Sequence, residues 1–236
     1  MTVKNPGPRI IVALDYADSG AALELVSGLD PSMCRLKVGK EMFTRFGPSF
    51  VEKLVANDFD VFLDLKFHDI PNTVAAACCA AADLGVWMTN LHAAGGRKMM
   101  ETAKDRLQQM PNPPLLIAVT ILTSLGEADI DEIGYSGNPA ENVMRLAQLA
   151  DSSGMDGIVC SPLEVREVRP LVSTDFCLVT PGVRPAASGQ DDQTRVMTPK
   201  DALTAGSDYL VIGRPITQAV DPMQALRNIL SEIGTK

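Results

Sequence analysis

Basic clusters are missing from this chain. Its 21 Lys and Arg are set against 29 Asp and Glu, for a net charge of −8 over 236 residues, and the acidic side chains are spread along its length. That balance argues against a nucleic-acid or membrane-surface partner, and an anionic substrate would need a few locally placed Arg and Lys. Cysteines in metal-ligand spacing are also missing. The five present (Cys34, Cys78, Cys79, Cys160 and Cys177) are odd in number and sit mostly inside apolar runs, so they read as reduced core thiols of a cytosolic protein. No window reaches the length of a membrane span, and the first nine residues have no apolar signal-peptide core, so a cytoplasmic protein is expected. Linkers, low-complexity segments and long repeats are absent too, which leaves one domain over residues 1–236.

What is present is an alternation of short apolar runs with longer amphipathic segments. Eight strands are expected at residues 9–15, 34–39, 61–67, 87–92, 115–122, 157–161, 176–182 and 209–213. Helices are expected near 19–29, 47–57, 72–84, 96–109, 140–152, 163–172, 199–206 and 222–233. Eight β/α units in so few residues point to a closed parallel (β/α)8 TIM barrel, whereas an open doubly wound sheet seldom needs eight strands. Asn138-Pro139, Ser161-Pro162, Thr198-Pro199 and Asp221-Pro222 each set a capping residue before a proline at the first helical position. Gly28, Gly154, Gly206 and Gly234 fall where helices end and a left-handed residue is often needed.

In such barrels the active site forms at the carboxyl ends of the strands. Polar residues collect there: Asp15, Lys37, Asp64 and Lys66, Asn90 and His92, Thr120 to Ser124, Thr180 to Arg184, and Gly213-Arg214. The densest stretch runs Asp64-Leu65-Lys66-Phe67-His68-Asp69-Ile70-Pro71-Asn72-Thr73, directly after the apolar Val61-Phe62-Leu63. Residues two apart on a strand share a face, so Asp64 and Lys66 project together, and the chain then brings Asp69 back over the strand end. A carboxylate, ammonium, carboxylate row results. A lone Asp-x-Lys would most simply be a structural ion pair. Gly213 exposes backbone N–H groups and Arg214 offers a planar fork, together a match for phosphate oxygens, with Arg184 and Gln193 on the neighbouring loop able to close on the same group. His68 and His92 suggest a metal pair, but Lys66 would repel a cation there, so His92 is read as a strand-end hydrogen bond and His68 as a loop contact. Ile121 and Leu122 are read as barrel filling.

The whole decapeptide resembles the signature of the orotidine 5′-monophosphate (OMP) decarboxylase family, and the likeness extends from Ile11 to about Ile216. Thr180-Pro181-Gly182-Val183-Arg184 and Asp191-Asp192-Gln193-Thr194-Arg195-Val196 resemble that family's phosphate grip. The resemblance implies a cytoplasmic carboxy-lyase that converts OMP to UMP in pyrimidine biosynthesis with no metal and no cofactor. Asp64, Lys66 and Asp69 would be catalytic, with Lys66 giving a proton to C6. Asp15 and Lys37 would hold ribose hydroxyls, and Thr123, with Ser124 a close competitor, would meet the pyrimidine amide. Ile70, Thr73, Pro181, Arg184, Gln193, Gly213 and Arg214 complete the implied substrate set. Asp69 and Thr73 would reach into a neighbouring subunit, making a homodimer with composite sites. Two rivals remain: a Mg-dependent sugar-phosphate decarboxylase or synthase sharing Asp-x-Lys-x-x-Asp, and a noncatalytic nucleotide-binding barrel.

Overall fold

The computed structural model describes residues 7–185 and 197–234. Strands β1 (Ile10–Leu14), β2 (Arg35–Gly39), β3 (Val61–Phe67), β4 (Met88–His92), β5 (Leu115–Val119), β6 (Gly157–Val159), β7 (Cys177–Thr180) and β8 (Tyr209–Ile212) are all parallel and close into a barrel, β8 pairing with β1. The expected TIM barrel is therefore present. Its helices are α1 (Ser19–Ser27), α2 (Lys40–Phe46), α3 (Pro48–Ala56), α4 (Pro71–Asp83), α5 (Arg97–Leu107), α6 (Glu127–Glu132), α7 (Pro139–Ser152), α8 (Val165–Val168), α9 (Pro199–Ala205), α10 (Arg214–Thr217) and α11 (Pro222–Glu232). Among the described residues no helix is long and apolar enough to cross a membrane.

Alternation along the strands sorts the side chains into two layers. Val12, Leu14, Leu36, Val38, Val61 and Leu63 pack outward with the helices, while Ile11, Phe62, Met88, Ile117 and Val179 fill the lumen. The same alternation carries Arg35 and Lys37 into the lumen at different heights on β2. Arg35 is fully buried, with its guanidinium 4.0 Å from the Trp87 ring centre, 5.2 Å from that of Tyr209, and Nε 3.0 Å from Asp60. It also donates to the Pro8 carbonyl. The lower end of the barrel is thus closed by a cation between two aromatic rings.

Three of the four expected cap-proline starts hold: Asn138, Thr198 and Asp221 each accept an amide hydrogen bond from the first helical turn. Ser161-Pro162 instead opens a turn, with Ser161 Oγ accepting from the Leu163 amide, and the helix begins only at Val165. Gly154, Gly206 and Gly234 take left-handed φ angles, but Gly28 has φ −91° and needs no glycine conformation. Strands β5, β6 and β7 stop two or three residues earlier than expected. The residues so released leave the sheet and form the rim of the mouth. Three helices went unforeseen: α2 lies between Gly39 and Gly47 and buries only Met42, α6 buries only Ile130, and α10 is a single turn. Elements so short carry too little periodic apolar pattern to be read.

Candidate active site

Four charged side chains form a chain across the mouth on the β1 to β3 side. Lys37 Nζ lies 3.3 Å from Asp15 Oδ1 and 3.6 Å from Asp64 Oδ2, and Lys66 Nζ lies 2.6 Å from Asp64 Oδ1. The order is carboxylate, ammonium, carboxylate, ammonium. Lys37 and Asp64 are buried, and Asp15 is exposed at the rim. A Cβ on Gly39 would come within 3.3 Å of Lys37 Nζ and 3.7 Å of Asp15 Oδ1, so the bare glycine at the end of β2 leaves room for this pair. Burial alone would raise the Asp64 pKa. Lys37, Lys66 and the hydrogen bonds from Lys66 and Asn90 outweigh it, and the carboxyl ends below its usual range.

Lys66 reaches Asp64 by a route that simple alternation does not describe. Leu63 pairs with Thr89 and Phe67 with Leu91, so Asp64, Leu65 and Lys66 stand opposite Asn90 alone. This is a bulge, and within it Lys66 has φ +53°, the left-handed region that non-glycine residues seldom enter. Asn90 is wholly buried; its Oδ1 accepts from the Lys66 amide at 2.7 Å and its Nδ2 donates to Asp64 Oδ1 at 2.7 Å.

Asp69 departs from the expected row. It is exposed, accepts a hydrogen bond from the Ile70 amide at 2.6 Å, and forms no ion pair with Lys66 of its own chain. Ile70 is 68 % exposed and Thr73 is exposed in the first turn of α4; none of the three lines the cavity described next. His92 also differs from expectation: it makes no strand-end hydrogen bond among the described residues, and its ring lies 5.5 Å from that of His68. Burial, then His68, Lys40 and Lys66, push its pKa down to about 4, so the imidazole is neutral near pH 7. Among the described residues no three His, Cys, Asp or Glu gather to hold a metal ion.

A cavity of about 200 Å³ opens beside the charges. Lys37, Asp64 and Lys66 form one wall, and Phe62, Val119, Val159, Cys160 and Val211 form an apolar wall. Thr123 and Pro181 line it as well, while Ser124 does not. Ile121 and Leu122, expected to be barrel filling outside the site, both face the cavity, because β5 ends at Val119 and the next residues turn over the mouth. The apolar wall was not assigned to the site from sequence, and Asn90, placed among the polar residues at the mouth, was given no role there. Alternation from Met88 would have pointed Asn90 into the lumen, but apolar lumen residues look like any core.

Of the residues expected to grip phosphate, Arg184, Gly213 and Arg214 follow β7 and β8, which also bring Pro181 and Val211 to the cavity side. These strands pair through Val179 with Tyr209 and Thr180 with Leu210, so the segments that follow them leave side by side. Arg184 is buried, and its amide donates to the Met197 carbonyl at 3.0 Å beside a Val183 to Met197 bridge. Gly213 ends β8 and Arg214 opens α10. Gln193 lies outside the described residues.

Residues 8–229 match the family described as orotidine 5′-phosphate decarboxylase / HUMPS family. An orotidine 5′-phosphate decarboxylase of Psychromonas ingrahamii is 61 % identical over 223 residues, covering 94 % of this chain and 95 % of its own. One from Hahella chejuensis is 59 % identical over 227 residues, covering 96 % and 97 %. The crystal structure of orotidine 5′-phosphate decarboxylase from Lactobacillus acidophilus superimposes with a TM-score of 0.86 at 40 % identity, covering 97 % of this chain and all of that one.

Proposed function

The chain belongs to the orotidine 5′-phosphate decarboxylase / HUMPS family, and from that premise we infer that it decarboxylates OMP to UMP with Lys66 as the proton donor to C6. The observation that carries this reading is the alternating row Asp15, Lys37, Asp64, Lys66, whose last three members border a mostly apolar cavity.

Loss of CO2 from C6 of the pyrimidine leaves an electron pair in an orbital that the ring system cannot delocalise well. Stabilisation has to come from the surroundings. An ammonium at C6 is worth most in a site with little competing water, and Lys66 sits against an apolar wall. The same group then delivers the proton, and Asp64, ionised and 2.6 Å away, keeps that ammonium aimed. In this reading Lys37 and Asp15 meet the ribose hydroxyls, Thr123 meets the pyrimidine edge, and Pro181 lines the substrate cavity. Arg184, Gly213, Arg214 and Gln193 take the phosphate. The position of Arg184 and Arg214 after adjacent strands supports the last assignment, since loops after strands seven and eight commonly hold phosphate in this fold.

The reading includes a homodimer, in which Asp69 and Thr73 complete a partner's site. Their exposure on the single chain, away from the chain's own cavity, is consistent with that role. Because Lys66 supplies the cation, the reaction should need no added metal. The test follows OMP absorbance with purified protein in EDTA. Undiminished turnover is expected, with Lys66→Ala inactive but still binding UMP. Loss of turnover in EDTA with recovery in Mg2+ would favour the sugar-phosphate reading and overturn this one.

A further inference from the structure

We propose that Asn90 is a positioning residue for the decarboxylation, holding the Lys66 ammonium in place through the backbone and through Asp64 at once; this rests on the assignment of Lys66 as proton donor. The bulge opposite Asn90 contains two residues more than regular pairing allows, which takes the Lys66 amide out of the ladder and sets its φ at +53°. A half-buried amide in an uncommon backbone conformation needs an acceptor to persist. Asn90 Oδ1 supplies it at 2.7 Å. The other end of the same side chain donates to Asp64 Oδ1, the oxygen that also receives Lys66 Nζ. Turning the carboxamide over would set its NH2 against the Lys66 N–H and its oxygen against the Asp64 carboxylate, so both partners select one orientation. Asn90 has no exposed surface and its neighbour on β4 serves the same bulge: Thr89 Oγ1 donates to the Leu63 carbonyl at 3.1 Å.

The two braces have different jobs. Thr89 touches only the backbone at the base of the bulge, whereas Asn90 touches the backbone of the lysine and the carboxylate that orients its ammonium. Asn90 does not line the cavity, so its influence on substrate passes through Lys66 and Asp64.

The experiment compares Asn90→Ala, the near-isosteric Asn90→Asp and the control Thr89→Val. It measures kcat and KM on OMP, Kd for UMP, and exchange of the C6 hydrogen of UMP in D2O, which reports proton delivery without CO2 loss. For Asn90→Ala we expect kcat to fall about 100-fold, as misplacement of a reacting group by an ångström can do. C6 exchange should fall with it and UMP affinity should stay near wild type. Thr89→Val should lower thermal stability with little change in kcat. Should Asn90→Ala fail to fold, Asn90→Asp carries the test: it keeps an oxygen for the Lys66 amide, sets a second carboxyl against Asp64 where the amide donor stood, and should show the same split. The proposal is overturned if the folded variant keeps kcat within threefold of wild type. It is equally overturned if kcat and UMP affinity worsen in proportion, because that is general loosening. If Lys66→Ala itself remains active, the fault lies in the proposed function and not in this step.

Discussion

Asp64→Asn isolates charge from shape in the row of ion pairs. In the wild type, Oδ1 accepts from Lys66 Nζ at 2.6 Å and Asn90 Nδ2 at 2.7 Å, while Oδ2 faces Lys37 Nζ at 3.6 Å. An amide that keeps its oxygen on the Lys66 side turns its NH2 toward the Lys37 ammonium, and the opposite orientation turns it toward two donors. Neither is satisfied. Removing one partner of a buried ion pair costs about 3–5 kcal/mol, and here one carboxylate serves two cations. If that loss is felt in the transition state it corresponds to roughly 10²–10⁴ in kcat. As a loss of folding stability it corresponds to a fall of about 6–20 °C in Tm for a chain of this size. The assay pairs initial rates on OMP with thermal unfolding at pH 7. Acidification should reproduce the stability part: the folded Asp64 pKa lies below its ordinary 3.8, so its contribution is complete above 3.8 and disappears as pH falls through the lower folded value. The stability gap between wild type and variant should therefore narrow in strong acid. A variant with lowered Tm but more than a tenth of wild-type kcat would show the row to be structural, and an unchanged Tm would refute the energetic argument.

Two further outcomes are expected. Mixing Lys66→Ala with Asp69→Ala should restore about a quarter of wild-type sites after random subunit exchange, because one site of each heterodimer carries both lesions and the other neither; no recovery despite demonstrated exchange would return Asp69 to its own chain. Arg214→Ala should depress kcat/KM severely on OMP, Gln193→Ala less, and Arg214→Ala should be nearly silent on orotidine, which lacks the phosphate. Steady-state kinetics on both substrates decide it, and an equal loss on orotidine would remove Arg214 from the phosphate site.

Much of this was legible in the residues themselves. β3 runs over Val61–Phe67 as expected, since an apolar run ending abruptly in charge marks a strand reaching a solvent-filled mouth. The bulge was not legible, because Phe62, Asp64 and Lys66 satisfy plain alternation and only the β4 partner register reveals the extra residues. For the same reason the convergence of Lys37 on Asp64 was hidden: they are 27 positions apart, and barrel closure, not spacing, brings them within 3.6 Å. Asp69 shows the opposite limit. Its spacing from Lys66 suggested a shared row, but the turn into α4 directs it outward. Ile121 and Leu122 were misassigned because an apolar pair carries no mark distinguishing a core from a substrate wall.

The plug formed by Arg35, Trp87 and Tyr209 has a consequence for traffic. With Ile11, Phe62, Met88, Ile117 and Val179 packed above it at no more than 1 % exposure, the lumen below the cavity is a dead end among the described residues. Substrate, water, CO2 and UMP then share one doorway. With no second opening among the described residues, the gas has to leave by the way the nucleotide came in.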